Sequence, residues 1–300
     1  MFQGLKKFRP YLAPAVVVLT IAFFVYFFAT HPALRHTLAA TSPWVLVKVG
    51  VLYSVFIICL AWVYDLTLRL CGKQLPAKEN LLLTCYSTIA NFFGPLQSGP
   101  GVRAVYLKQK HHVSISDYTL ATLFYYACYA VISAIFILIG SGHLWPWASI
   151  MTLCVIAFSI TVVLLARKRF IKNSKATGLH FGPKIMLLLF LATFVQLSIV
   201  ALIFYVELQA VGAHPSALQA VAYGGAANFA LFVALTPGAI GFREAFLTFS
   251  QQIHHISTSN ILAASVIDRA VYVVFLGLLF VLVLAVHADQ RFRIKPASQS

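Results

Sequence analysis

Long apolar stretches follow one another along almost the whole chain, and they constrain its fold more than any other feature. A helix needs about 20 apolar residues to cross the hydrocarbon core of a bilayer, and six unbroken stretches reach roughly that length. Charged residues make up only 10% of the sequence, whereas soluble domains contain about a quarter. The sequence therefore predicts an all-α integral membrane protein, with no soluble catalytic domain expected. The six stretches are residues 11–29, 43–64, 118–139, 148–166, 184–206 and 260–286.

Two further apolar segments, 80–107 and 217–249, are interrupted by proline and glycine. These residues remove hydrogen bonds from a helix and relax its backbone. At membrane depth such backbone survives only where protein or a watery cavity covers it. We therefore expect each segment to be a broken helix rather than a simple span. The breaks are Gly94-Pro95, Gly99-Pro100-Gly101, Pro237-Gly238 and Gly241.

The chain also repeats itself, which predicts two related membrane halves, residues 1–143 and 144–300. Residues 111–131 and 254–274 share eight identities over 21 positions, beginning with a His-His pair in each copy. Biased composition alone would give about two identities. Shorter matches lie upstream, at Ala90-Asn91-Phe92 with Ala227-Asn228-Phe229, and at Gly101-Val102-Arg103 with Gly241-Phe242-Arg243.

The distribution of basic residues predicts how the two halves are oriented. Lys and Arg favour the cytoplasmic side of a membrane protein, and 18 of the 22 basic residues share one side only if both broken segments are re-entrant hairpins. The fold then has six full spans plus two re-entrant helical hairpins, the first entered from the cytoplasm and the second from outside. The halves become inverted repeats with both termini cytoplasmic, which is typical of transporters. Two alternatives stay open: a duplicated structural bundle, or eight full spans, which would put Arg103, Lys108 and Lys110 outside.

Two motifs resemble a known family, the lysylphosphatidylglycerol synthase transmembrane-region family. This family forms the membrane half of MprF-type bacterial proteins and also occurs as stand-alone proteins. The resemblance implies lipid translocation in the bacterial inner (cytoplasmic) membrane and leaves lysyl transfer unsupported, because a soluble synthase domain performs that step. Family members often carry an acid just before the first arginine, whereas Gly99-Pro100-Gly101-Val102 contains none. The motifs are Thr236-Pro237-Gly238-Ala239-Ile240-Gly241-Phe242-Arg243-Glu244-Ala245 followed by Asp268-Arg269, and the segment from Asn91 through Arg103-Ala104-Val105-Tyr106-Leu107.

Two acidic residues are candidates for function because ionisable groups inside a membrane segment are expensive to bury. Glu244 follows the second Pro-Gly break beside Arg243, and Asp268 lies about eight residues into the last stretch. Asp268 and Arg269 are neighbours and cannot face each other on a helix, so each is expected to pair with Arg243 or Glu244. The alternative is an ion network that only locks the second hairpin to the last span. The other five acids are assigned to segment ends or loops: Asp65, Glu79, Asp117, Glu207 and Asp289.

Two arginines and two asparagines complete the predicted substrate-binding site. Arg103 and Arg243 occupy equivalent places in the repeats, and arginine matches phosphate with a planar fork of donors. A headgroup could pass from one to the other, although snorkelling to the interface is the structural alternative. Asn91 and Asn228 precede the breaks and bind either substrate or freed backbone carbonyls.

Enzyme and nucleic-acid-binding functions are not expected. The sequence has no P-loop, dinucleotide-binding glycine motif or nucleophile elbow, and no soluble basic surface; no cofactor and no metal are predicted. The predicted function is a flippase-like lipid translocator that moves a phosphate-bearing headgroup. Its predicted partners are a phospholipid or polyprenyl-phosphate lipid and the membrane, with a homo-oligomer or a partner enzyme left open. The alternative is a scaffold or accessory subunit of a lipid-modifying or glycosyl-transferring membrane enzyme.

Overall fold

The computed structural model describes residues 41–93, 98–173, 182–231 and 242–293, with the single positions 29, 39 and 179. Residues 11–28 of the first predicted span lie outside these ranges, as do the predicted breaks at 94–95 and 237–241. Inside them every regular element is a helix. The helices are α1 (Pro43–Leu70), α2 (Ala77–Phe93), α3 (Gly99–His111), α4 (Ile115–Gly140), α5 (Trp145–Asn173), α6 (Pro183–Ala210), α7 (Ala217–Ala230), α8 (Phe242–Phe249), α9 (Gln251–His254) and α10 (Thr258–Arg293), with a 3-10 turn at Gly142–Leu144.

Among the described residues, five helices are long and apolar enough to cross a membrane. They are α1, α4 and α6 over their full lengths, and the parts of α5 and α10 at Pro146–Ala166 and Thr258–Val286. Large apolar side chains such as Trp44, Phe158 and Leu278 are exposed on these helices. Apolar surface of this extent is suited to lipid contact and not to water. The prediction is therefore confirmed for five of the six apolar stretches.

The first broken segment folds back on itself as two antiparallel helices, α2 and α3. Glu79 at the start of α2 contacts Lys110 near the end of α3, with 2.9 Å between carboxylate oxygen and Nζ. At the opposite end, the Ser98 hydroxyl donates to the Ala90 carbonyl oxygen at 2.6 Å. The described ends of the segment thus lie at the same end of the helix pair, and its insertion into the membrane as a re-entrant hairpin stays a prediction.

The second broken segment pairs in the same way within its described residues. The rings of Phe229 in α7 and Phe246 in α8 stack with centroids 6.2 Å apart. The rings of Tyr223 and His254 contact each other at 5.2 Å, so the chain again runs antiparallel. At about 1.5 Å per residue, α2, α3 and α7 are about 26, 20 and 21 Å long, each shorter than the roughly 30 Å hydrocarbon core.

Within the described residues, the elements from α1 to α4 in the first half and from α6 to α10 in the second follow the same order. The helices α1 and α6 both begin at a proline and span 28 residues. The turn after each contains a glycine with positive φ, Gly72 at 67° and Gly212 at 76°, a conformation that costs glycine little. Further along, His112 and His255 end the paired helices in the left-handed conformation. The repeat found in the sequence therefore corresponds to a repeat of structural elements.

The equivalent helices α1 and α6 pack against each other in opposite directions. Val49 near the start of α1 shares a core cluster with Ile203 near the end of α6. Leu66, late in α1, shares another with Leu189, early in α6. Antiparallel packing of equivalent helices is what inverted repeats require. The inversion of the whole halves relative to the membrane stays a prediction.

Close backbone packing holds α7 in the centre of the second half. A Cβ atom on Gly225 would lie 2.8 Å from the Ser133 carbonyl oxygen of α4, and one on Gly224 would lie 3.0 Å from Cβ of Ala201 in α6. Only glycine allows the three backbones to approach this closely. The contact fixes Asn228, one turn further along α7, at the centre of the molecule.

Candidate functional site

One cavity of about 200 Å³ brings together most of the predicted site residues. It lies where α1, α6, α7 and α10 meet, with α2, α4 and α8 contributing at its edges. Tyr53, Tyr129 and Tyr272 supply hydroxyl groups to a lining that also contains apolar side chains. Five of the seven predicted residues line it, namely Asn91, Asn228, Arg243, Asp268 and Arg269.

Asp268 is the buried anion of this cavity. It lies ten residues after the start of α10, about 15 Å along the helix, and its residue is 5% exposed. Its two carboxylate oxygens accept hydrogen bonds from the Tyr53 hydroxyl and from the Arg243 guanidinium. A buried carboxylate needs such partners, because an unpaired buried charge is strongly destabilising.

A second ion pair crosses between the same two helices. Arg269 of α10 donates to the carboxylate of Glu244 in α8, while Arg243 Nε lies 3.9 Å from the same carboxylate. Neighbours on α8 thus pair with neighbours on α10. Because adjacent helical residues point about 100° apart, this is the pairing that their order in the sequence led us to expect.

Two hydrogen-bond donors at the cavity have no partner within the described ranges. They are Arg243 Nε and Asn228 Nδ2; the Oδ1 atom of Asn228 accepts a hydrogen bond from the Tyr129 hydroxyl at 2.7 Å. Buried donors in proteins are normally satisfied by a hydrogen-bond partner. Both donors suit an oxygen-rich anion.

Comparison with protein families identifies the family of the chain. Residues 12–279 match the family model described as the lysylphosphatidylglycerol synthase TM region. The chain belongs to this family. Membership implies a function related to membrane lipids and agrees with the resemblance found in the sequence motifs. No individual curated protein matches the chain significantly.

In this lysylphosphatidylglycerol synthase transmembrane-region protein, Arg103 lies apart from the cavity. It is fully buried between α2 and α3, where Nη1 and Nη2 donate to Thr84 and Asn80 at 3.3 and 3.1 Å. Its guanidinium lies 4.0 Å from the centre of the Tyr64 ring. The described part of the chain places no carboxylate within salt-bridge distance of it. Arg103 therefore ties the first hairpin together through neutral partners.

The two arginines still show the internal repeat. Arg243 lies over the ring of Phe204 at 5.4 Å, and Phe204 is the counterpart of Tyr64, 140 residues further along. The counterparts of Glu244 and Asp268 in the first half are neutral, since Ala104 and Tyr125 stand there. The arginine–ring contact is thus common to both halves, whereas the carboxylate partners exist only in the second.

Asn91 lines the cavity, but it also makes a contact that favours the structural alternative. Its Oδ1 atom accepts a hydrogen bond from the Gly99 backbone N–H at 3.3 Å, which joins α2 to the start of α3. Asn91 thus lines the cavity and at the same time holds the turn of the first hairpin. Arg103 and Glu244 are the two predicted residues that do not line the cavity.

The sequence argument missed Glu207 and Tyr53. Glu207 was assigned to a segment end, but α6 continues to Ala210 and its side chain is fully buried. The predicted apolar stretch, residues 184–206, ends one residue before Glu207, because the charge of Glu207 indicated the end of the span. The helix-forming residues that follow Glu207 indicate that the helix continues past it, and this signal could have identified Glu207 as buried. Tyr53 carries no such signal, since only the fold brings it to Asp268, 215 residues away.

Proposed function

We propose that this protein translocates a phosphate-bearing lipid across the bacterial inner membrane, with the headgroup passing through the central cavity. The observation that carries the proposal is a cavity within the helical bundle that holds two arginines and two unsatisfied donors. A phosphate presents several oxygens to such donors, and arginine matches it in geometry and charge.

The physical need for such a site follows from the bilayer. A charged headgroup must pass about 30 Å of hydrocarbon, where an uncompensated charge costs several kcal/mol or more. Asp268 and Arg243 meet about 15 Å along α10, roughly half of that depth. A polar cavity there divides one high barrier into two lower ones. The short paired helices on either side support a path entered from both faces of the membrane.

An apolar groove beside the cavity suits the acyl chains. It has a volume of about 670 Å³ and runs between α1 and α10. Tyr53, which lines the cavity, stacks on Phe275, which lines the groove, with ring centroids 5.5 Å apart. A lipid with its phosphate at Arg243 can therefore keep its tails in this groove and in the bilayer. The groove is lined by residues such as Leu46, Val51, Ser54, Val271 and Leu282.

The test is exchange of lipid between the two leaflets of liposomes that contain the purified protein. Without ATP, the protein should accelerate exchange of a fluorescent phospholipid or polyprenyl phosphate over empty liposomes. Arg243→Ala should reduce the rate to background, because it removes the phosphate donor from the cavity. Arg69→Ala is the matched control: this arginine is 43% exposed and pairs with Asp65 at a helix end, so its loss should leave the rate unchanged.

A scaffold for another membrane enzyme is the second candidate, favoured by the crossed ion pairs that fasten α8 to α10. If neither lipid class moves faster than in empty liposomes, with or without a proton gradient, the translocation proposal is wrong and the scaffold function replaces it. The Arg243→Ala protein must be shown to be folded by size-exclusion chromatography. Arg243→Lys adds a further comparison, since it keeps the charge but loses the bidentate fork.

A further inference from the structure

Glu207 is a buried carboxyl group that the ion pairs of the cavity do not use. It is fully buried, and neither of its side-chain oxygens has a hydrogen-bond partner among the residues that the structure describes. A carboxylate without hydrogen bonds in such a place is expensive, and a bound proton removes most of the cost.

The position of Glu207 brings it near the Arg243–Asp268 ion pair, although its side chain does not line the cavity. It lies three residues after Phe204, and residues at this spacing share a helix face. Phe204 packs under the Arg243 guanidinium, so Glu207 faces the same cation. Its charge interacts with those of Asp268 and Arg243. The ionisable groups that interact with it are Tyr53 of α1, Tyr223 of α7, Arg243 of α8 and Asp268 of α10. Tyr129 of α4 interacts with the same Arg243.

The charges around Glu207 make its protonation sensitive to a bound anion. Arg243 and Arg269 are already balanced by Asp268 and Glu244. An ionised Glu207 makes the cluster negative, and a phosphate that enters adds more negative charge beside it. Like charges at short range oppose each other. Protonation of Glu207 relieves this repulsion, and by reciprocity phosphate binding must draw a proton onto Glu207.

We propose that Glu207 is a proton-binding site coupled to the headgroup site, so that lipid and proton are bound together. This inference rests on the proposed lipid function and deepens it. The proton comes from solvent and adds to one carboxyl oxygen of Glu207, and no bond to the lipid forms or breaks. A proton gradient then biases lipid loading toward the acidic face, because the protonated protein binds the phosphate more tightly.

Proton uptake tests the coupling directly. Phosphatidylglycerol is added to detergent-solubilised protein in a weakly buffered solution containing a pH indicator, over a series of pH values, with lipid binding measured in parallel. The wild-type protein should take up as much as one proton per bound lipid in the range where Glu207 titrates, whereas Glu207→Gln should take up none. Asp65→Asn is the control, since it neutralises an acid that pairs with Arg69 at the end of α1 and does not line the cavity, and it should behave as wild type.

An infrared spectrum provides a second measurement. The band of a protonated carboxylic acid should grow when phosphatidylglycerol is added to the wild-type protein and should be absent from that difference spectrum in Glu207→Gln. Equal proton uptake in Glu207→Gln, or lipid binding with no uptake at any pH, would overturn the inference. Thermal unfolding of the Glu207→Gln protein should match wild type, because glutamine has the size of the neutral acid.

Liposomes separate the failure of this inference from the failure of the lipid function. The wild-type exchange rate should respond to an imposed pH gradient, and Glu207→Gln should lose that response. If exchange depends on Arg243 but responds to pH equally in wild type and Glu207→Gln, the proton site is wrong and translocation stands. If no lipid binds or moves in any variant, both proposals fall together.

Discussion

At the scale of single residues, the site consists of charges that stabilise one another in pairs. Arg243 with Asp268 and Arg269 with Glu244 have side chains that are only 7–13% exposed. Loss of one member of a buried pair leaves the other uncompensated, which costs about 3–5 kcal/mol, whereas loss of both can be nearly neutral. Removing both partners of a pair together therefore helps to separate the structural role of these residues from substrate binding.

We expect Glu244→Gln to lower the melting temperature of the purified protein, because it strands the Arg269 charge beside it. The double variant Glu244→Gln with Arg269→Gln should recover most of the loss, since no unpaired charge remains. Thermal unfolding followed by circular dichroism measures both. A double variant no more stable than Glu244→Gln alone would show that the pair does not act as a unit. In the liposome assay, a recovered fold without recovered exchange would assign the pair to lipid handling and not to architecture.

The sequence predicted which charged residues of this site pair with each other better than it predicted which other residues lie near them. The adjacency of Asp268 and Arg269, with Arg243 and Glu244 adjacent elsewhere, was enough to anticipate two crossed pairs. Glu207 and Tyr53 could not be anticipated in the same way. The first was hidden by the ordinary rule that an acid ends an apolar stretch, and the second joins the site only through long-range packing of α1 on α10.

At the scale of elements, the two broken segments determine the architecture. Glycine and proline predicted where helices would be interrupted, and the repeat predicted that both interruptions would be alike. The contacts that close each pair were not predictable from pattern. The base of the first pair is held by Glu79, which accepts hydrogen bonds from the Tyr106 hydroxyl at 2.6 Å and from Lys110 at 2.9 Å, while His111 Nε2 lies 2.7 Å away.

This cluster at the base of α2 and α3 should weaken in acid. Partial burial raises the pKa of Glu79, but the hydrogen bonds from Tyr106, Lys110 and His111 outweigh it and lower the pKa from 4.5 to about 2. A carboxyl group whose pKa is depressed by folding stabilises the fold above its unfolded pKa and loses that contribution as the pH falls through its folded pKa. The contribution is thus complete above about pH 4.5 and disappears toward pH 2.

The measurement is the melting temperature of wild type and Glu79→Gln over a pH series in detergent. The difference between them should be largest near neutral pH and should shrink as the pH falls below 4.5. Lys108→Gln is the control, because it removes a neighbouring positive charge and leaves the three contacts of Glu79 intact. A difference that stays constant down to pH 2 would mean that Glu79 makes no ionised contact in the folded protein.

At the scale of the whole molecule, symmetry links architecture to the proposed function. The helices α1 and α6 are counterparts and run antiparallel, and the pairs α2–α3 and α7–α8 are counterparts that meet the same cavity through Asn91 and Asn228. A site between inverted halves can be approached from either face by equivalent movements, which is how alternating access arises in repeat transporters. The asymmetry of charge is as informative: only the second half supplies carboxylates, so the two approaches are alike in shape and different in charge.

The inverted arrangement predicts the sides on which two glutamines lie. Gln109 lies near the end of α3 and Gln252 belongs to α9, and both are exposed at the bases of their helix pairs. If the first pair is entered from the cytoplasm and the second from outside, cysteines placed at 109 and 252 must face opposite sides. The native cysteines have to be replaced first, above all Cys154, which is exposed. A membrane-impermeant thiol reagent added to intact cells should label position 252 alone, and position 109 should react only in inside-out vesicles. Labelling of both from one side would contradict the inverted arrangement of the two helix pairs, which could then not offer a headgroup entry from both faces.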